Sequence, residues 1–486
     1  MAMEVVWTRI FTPVLKTEVY SFALVVFVYL GATLAGSLRY RRHLKKGATA
    51  STPFLIALLA IAVLLPIPAS DPRFVSMDMF YSPRLGSVLI VLASIFPLCA
   101  ILGYLTPGLI DKFSLGNPAR AGRAYAINVL GCILGPLAAS YVLLPFIDER
   151  SALVILSLPV FAFYFFFWPS LPSIQRVWSG AAGGLLLLYS LFFFHNFASS
   201  FLASSSRVEE RRDYAASVMS VDPGGAKKLL VNGIGMTTLT PITKFMIHLP
   251  MALHEGTPRS VLVVCFGMGT SFRSALSWDA DTTAVELIPS VPKAFGYYHA
   301  DAAEVLNNPK GRIVIDDGRR FLNRTHEKYD VIAIDPPPPL AAAGSSLLYS
   351  TEFYDAIKQH LNPNGIVQVW LPGGDKMTDL AVVRSVYVSF PHVRCFPSLE
   401  NWGVHILGSM DPIAERSPEQ LAARMPGRAK KDLLEWTSDT DAASYLGKVV
   451  LHELPAETPP DPNSDVRITD DDPLNEYFLL RWMGLF

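Results

Sequence analysis

Six apolar stretches lie near residues 19, 53, 86, 124, 151 and 180. Each runs for about 17 to 23 residues, the length at which a helix rising 1.5 Å per residue spans a hydrocarbon core of about 30 Å. They predict six transmembrane helices. The flanks agree with this: Arg39, Arg41, Arg42, Lys45 and Lys46 follow the first stretch, and Trp168 and Trp178 border the loop between the fifth and sixth, as basic and aromatic residues do at a membrane interface. Small residues at helical spacing (Gly31, Ala35, Gly131, Gly135, Ala139) let helices approach closely. Gly131 and Gly135 form a GxxxG expected to pack inside the bundle, with Asn128 as packing glue. His195, near the end of the sixth stretch, is expected to sit in the interface.

Beyond about residue 204 the pattern shortens. Residues 215–221 and 228–233 flank an Asp222-Pro-Gly-Gly turn and predict a β-hairpin, with Pro and Gly supplying the turn dihedrals. Short, largely apolar runs follow at 261–266, 283–286, 312–315, 330–334 and 365–370, most of them separated by helical stretches. Such strands are buried under helices on both faces, so the alternation predicts a doubly wound, mostly parallel sheet. The expected division is a helical membrane domain over 1–200, a small β module over 205–255 and an α/β domain over 256–486.

Composition sharpens this division. The 486-residue chain is 51% hydrophobic and 17% charged, against about 25% charge in an ordinary soluble protein; that excludes disorder and argues against a purely soluble enzyme. Residues 1–200 hold 14 Lys and Arg with 7 Asp and Glu, the remainder 27 and 35. A net charge of -1 gives no footing for nucleic acid. Cys99, Cys132, Cys265 and Cys395 are scattered, so neither a CxxC metal spacing nor a disulfide framework is present, and buried free thiols are expected. No cleavable secretion signal is visible, because Glu4, Arg9, Lys16 and Glu18 interrupt the first 18 residues. Six helices with Arg and Lys concentrated after the first, third and fifth would put both the N-terminus and the globular half outside.

The chemistry gathers where strands of the predicted sheet end, the place where such sheets bind ligands. Gly267-Met-Gly269 and Thr270 follow the first strand, two glycines permitting a tight turn and a close ligand. Glu286 ends the second strand 19 residues after Gly267, the spacing at which an acid accepts hydrogen bonds from ribose hydroxyls. Asp316-Asp317-Gly318 follows the third, and Asp335 ends the fourth ahead of four prolines. Glycine, acid, acid pair and acid at four consecutive strand ends point to a nucleoside site. Near the C-terminus, 469–475 reads as a capped loop before a packed terminal helix, or else as acids over the mouth of the site.

The ordered series of Leu229-Leu-Val-Asn-Gly233, Gly267-Met-Gly269, Val285-Glu286, Ile315-Asp-Asp-Gly318, 329–335, 348–354 and 361–368 resembles the spermidine synthases, the polyamine aminopropyltransferases, and with its helical N-terminus the membrane-fused group among them. The resemblance implies a small β domain followed by a Rossmann-like methyltransferase-type domain. It implies that Glu286 holds the ribose, and Asp317 with Gly318 the adenine edge, of decarboxylated S-adenosylmethionine as co-substrate, with Gly267, Gly269, Thr270 and Asp316 completing the cofactor-binding set and no metal. It makes Asp335 the catalytic acid and places Tyr349 where a hydroxyl could assist; the competing role for Tyr349 is a packed aromatic at a helix start. The implied partners are a small amine, the lipid bilayer and a possible second copy of the chain, with the globular domain in the cytosol, where the donor is made. Two departures bear on substrate: the family's glycine loop usually carries an Asp that grips the ligand's amino group, whereas this loop has Thr270, and Lys244 stands where a diamine acceptor wants acids. The alternatives are an S-adenosylmethionine-dependent methyltransferase and a membrane sensor or transporter with a degenerate nucleoside-binding domain.

Overall fold

The computed structural model describes residues 1–77, 84–202, 204–336, 339–455 and 466–477, with 480, 481 and 483. Pro337 and Pro338 of the proline run, and Phe478 and Leu479 of the terminal apolar stretch, lie outside the described residues. The chain forms two compact units, Met1–Met219 with Val231–Ile234, and Ser220–Leu230 with Gly235–Phe486.

In the first unit five helices are long and apolar enough to cross a membrane: Val19–Lys45, Leu85–Ser114, Pro118–Leu143, Glu149–Ser170 and Ser173–Phe193. The second of the six expected spans instead begins as an 11-residue helix, Thr52–Ala62, about 16 Å long at 1.5 Å per residue. Pro66 and Pro68 supply the reason, since each removes a backbone donor and its ring blocks the α ladder; the chain continues in turns and a short 3₁₀ helix at Pro68–Ser70. This segment still returns the chain across the bundle. Val19–Lys45 and Leu85–Ser114 run parallel: Gly36 lies against Ala100, Ser37 bonds the carbonyl of Gly103, and the Tyr40 hydroxyl donates to Asp111 at 2.7 Å. The Ala50 amide meets the Tyr104 hydroxyl, whereas the Ser76 amide meets Ser87, so residues 50–76 span a height of about 25 Å measured along the neighbouring helix.

The close approach in the bundle falls on other glycines than expected. A Cβ on Gly36 or Gly103 would strike the facing backbone, whereas among the described residues Gly131 has nothing within 4 Å and the nearest atoms to Gly135 are those of Ala2, at 3.2 Å and beyond. Asn128 is exposed, its side-chain amide reaching Cys132 at 4.0 Å.

Four strands, β1 (Ser205–Arg212), β2 (Ser217–Pro223), β3 (Lys228–Val231) and β4 (Ile234–Thr238), form a sheet in that order. The expected hairpin is β2–β3, turning through Gly224 and Gly225 at φ 64° and 84°. Seven further strands follow: β5 (Ser260–Val264), β6 (Asp281–Glu286), β7 (Gly311–Ile315), β8 (Tyr329–Ile334), β9 (Leu361–Leu371), β10 (His392–Pro397) and β11 (Val404–Ser409). Their order is β10-β11-β9-β8-β5-β6-β7. The strands from β7 to β9 are mutually parallel and the β11 and β10 pairings antiparallel, which makes this a mixed-sheet Rossmann-like domain of the methyltransferase type. Leu262, Val264, Ile332, Ile334, Val367 and Val369 are buried in one core with Tyr349, Phe353 and Tyr354.

Candidate active site

The chain leaves β5 for β6 and β7 on one side and returns to β8 on the other, so the order reverses between β5 and β8. A crevice opens at such a point beyond the carboxyl ends of the strands. The turn after β5 borders it. Gly267 and Gly269 have φ of 53° and 79°, a region that glycine enters without penalty. A side chain at Gly269 would also lie 2.4 Å from Phe295, and one at Gly318, after β7, 2.6 Å from Val264. Gly267 leaves the backbone open toward the acid at the end of β8, whose Oδ2 lies 4.0 Å from the position a Cβ would take.

That acid is Asp335. Burial, reinforced by repulsion from Glu286 and opposed by the Ser271 hydroxyl, pushes its carboxyl up to about 7. Glu286 is itself 8% exposed; burial raises its pKa, while backbone N–H groups at Ile288 and Phe266 act to lower it, with bonds of 2.9 and 3.0 Å. The Gly267 and Leu287 amides act in the same direction, so backbone donors fix Glu286 at the root of the turn. Cys265, which the sequence marked only as a buried thiol, joins the group. It adopts a left-handed φ of 71° at the end of β5, and its thiol is pushed well up by burial and by Glu286, Asp335 and Asp317. Non-glycine residues in this region carry strain of about 1–3 kcal/mol and gather at functional sites.

The other expected residues are placed as follows. Asp317 caps the helix Gly318–Arg324, accepting from the Arg320 amide at 2.8 Å. Asp316 accepts from the Asp317 amide at 2.8 Å and pairs with Arg320, so its carboxylate is engaged locally. Thr270 is buried, its hydroxyl 3.4 Å from His299. Tyr349 is 1% exposed and donates to the Trp370 carbonyl at 3.1 Å; burial raises its pKa strongly, with Tyr354, Cys265 and Asp335 adding to the shift. Its ring is packed in the core, while its electrostatic neighbours are those of the crevice.

Lys244 is where the structure departs from expectation. It is fully buried and bonds the Asp432 carbonyl and, at 2.6 Å, Glu435, with its ammonium 3.9 Å from the centroid of the Trp436 ring. Paired in this way, its charge is neutralised within the core and does not repel a diamine. The partners lie some 190 residues away, beyond reach of any local pattern.

A family model for the spermine/spermidine synthase domain matches residues 240–387. The polyamine aminopropyltransferase of Sulfurisphaera tokodaii is 26% identical over 255 residues, covering 49% of this chain and 82% of the relative. Polyamine aminopropyltransferase 2 of Hyperthermus butylicus is 31% identical over 206 residues, covering 38% and 65%. A crystal structure of the Thermotoga maritima spermidine synthase aligns with a TM-score of 0.39 at 21% identity, over 47% of this chain and 88% of that one. The family model thus places a spermine/spermidine synthase domain over residues 240–387, which hold the glycine turn and the strand-end acids, and the two aminopropyltransferases are similar to this chain over part of its length.

Proposed function

We propose that the protein is a membrane-anchored aminopropyltransferase that uses decarboxylated S-adenosylmethionine and a small amine. The observation that carries this reading is Asp335: a carboxyl held near neutrality, at the reversal point of the sheet, against an open glycine turn. In the reaction the neutral amine nitrogen attacks the propyl carbon bonded to the sulfonium. A C–N bond forms, the C–S bond breaks, methylthioadenosine leaves and the amine sheds one proton. Asp335 orients the amine and accepts that proton, which a group titrating near 7 does efficiently. Glu286 receives the ribose hydroxyls, Asp317 and Gly318 border the adenine, and the turn through Gly267 and Gly269 lets the sulfonium approach the acid. Tyr349 acts from behind as a packed support.

The globular unit faces the cytosol, where the donor is made. The basic loops do not decide the matter: Arg39, Arg41, Arg42, Lys45, Lys46, Lys112, Arg120, Arg123 and Arg176 are answered by Arg9, Lys16, Arg73, Arg84, Arg150 and, just past the last helix, Arg207, Arg211 and Arg212.

The test is incubation of the purified full-length protein with decarboxylated or intact donor and a panel of amines. Methylthioadenosine is the expected product; S-adenosylhomocysteine instead would identify a methyltransferase. Asp335→Asn should keep fold and methylthioadenosine binding while lowering turnover by about 10² to 10⁴. Wild-type turnover in that variant would remove Asp335 from the chemistry.

A further inference from the structure

Residues 466–477 lie past the matched family domain, yet they pack against the turns that border the crevice. Ile468 is fully buried and Leu474 packs on the same core. The Ile468 amide donates to Ser385 at 2.8 Å and its carbonyl accepts from the Thr351 amide at 3.0 Å, so the segment is pinned to two helices, Lys376–Ser389 and Thr351–Gln359. Asp470 takes a bidentate bond from Arg319 at 2.6 and 2.5 Å, next to Gly318, and accepts from Ser350 at 2.9 Å. No helix forms within 466–477; it runs as an extended strap ending in turns.

Two buried polar residues close the strap over the loop that joins Asp335 to Tyr349. Asn475, 1% exposed, donates to the Leu340 carbonyl at 2.7 Å and to Ser345 at 2.9 Å. Glu476, 6% exposed, accepts from both the amide (3.0 Å) and the hydroxyl (2.5 Å) of Ser346 through one oxygen. Among the described residues no cation pairs with Glu476. A buried carboxylate without a cation is expensive, and an apolar residue would pack here at lower cost. What the acid supplies is a fixed Ser346, and with it a fixed path for residues 340–346, which lie between the catalytic candidate and the tyrosine behind it.

Resting on the transferase reading above, we propose that Glu476 and Asn475 are positioning residues for the acceptor side of the site. They hold residues 340–346 in the conformation that receives the amine, while Asp470 secures Arg319 at the adenine side. Neither touches the reacting atoms. Loss of Glu476 therefore disorders the acceptor wall and spares the nucleoside pocket.

The test uses the full-length protein in detergent, with decarboxylated S-adenosylmethionine and putrescine as the probe amine. Glu476→Ala should raise KM for the amine by about 10-fold or more, in line with the cost of small misplacements, leave methylthioadenosine affinity unchanged, and accelerate hydrogen exchange in 340–349. Glu476→Gln, which keeps an accepting oxygen, should restore all three readouts. A wild-type KM and exchange rate in Glu476→Ala overturn the proposal, as does equal damage by Gln. If Glu476→Ala does not fold, Ser346→Ala removes one of the two bonds and should raise the same KM to a smaller degree; an unchanged KM there overturns it too. Absence of turnover in the wild type would sink the transferase reading alone, since exchange in 340–349 would still report on the strap.

Discussion

At the scale of the residue, Asp335 sets the balance between stability and chemistry. Its folded pKa of about 7 stands above the 3.9 of an unfolded aspartate, so the folded state holds the proton more tightly. The resulting stability is fully present below about pH 4 and is lost as pH rises through 7. Two consequences follow with opposite signs. If Asp335 accepts the amine's proton as proposed, turnover should rise with pH up to about 7 as its carboxylate ionises. Melting temperature should fall over the same range, and Asp335→Asn, which has no charge to bury, should be the more stable protein at pH 8 and no more stable at pH 4. Thermal unfolding of both proteins at the two pH values checks this; a gap that does not widen with pH would mean that Asp335 is solvated like a surface acid. Cys265 belongs to the same economy, since its left-handed φ is tolerated at a turn that must stay close to Asp335 and Glu286.

Helices outside the matched domain hold its elements in place. Asp432, on the helix Gly427–Leu434, accepts from His248 at 2.8 Å and Ser274 at 2.6 Å, and pairs with Arg273 at 2.5 Å. It thereby joins the helix Ile242–Leu253 to the helix Thr270–Leu276 that begins at the glycine turn. Burial alone would raise the Asp432 pKa, but His248, Lys244 and Ser274 outweigh it and hold it well below the usual carboxylate range. A depressed pKa means stability present above about pH 4 and lost as pH falls below it. Asp432→Asn should therefore cost about 3–5 kcal/mol at neutral pH, the effect of breaking a buried ion pair, and should flatten the acid limb of the stability curve, as denaturant melts at pH 7 and pH 3 would show. A wild-type acid limb in the variant would place the acid sensitivity elsewhere. None of this could be read along the chain. Lys244 looked like a determinant of the acceptor because its partners are remote, and β10 and β11 went unread because Arg394 and a buried His405, held neutral with its pKa lowered to about 3, break their apolar runs. The strand-end acids were legible because a parallel sheet sends every strand end to one rim.

At the scale of the whole molecule, hydropathy located the spans but not how each is built. The run near residue 53 has the apolar length of a span, and Pro66 and Pro68 end its helix early; the contacts Ser37–Gly103 and Tyr40–Asp111, which make Val19–Lys45 parallel to Leu85–Ser114, show that the chain still returns between them. Six passages would bring residues 194–212 back to the side of the N-terminal helix, and Arg9 donates to the carbonyls of Asp213 and Tyr214 at 3.2 and 3.0 Å. Five passages would put residues 1–18 and 194–212 on opposite sides. Single cysteines at Ala48 and Ser206, in a chain whose exposed Cys132 is replaced by Ser, separate these cases. With six passages and a cytosolic transferase, an impermeant thiol reagent should label Ala48→Cys in intact cells and Ser206→Cys only after lysis. Lys227→Cys, on the globular unit, should follow Ser206→Cys. The reverse pattern would keep six passages and move the catalytic unit outside, away from the donor's supply. A cysteine at Thr8 that labels from the side opposite to Ser206→Cys would reduce the passages to five and overturn the return through residues 50–76.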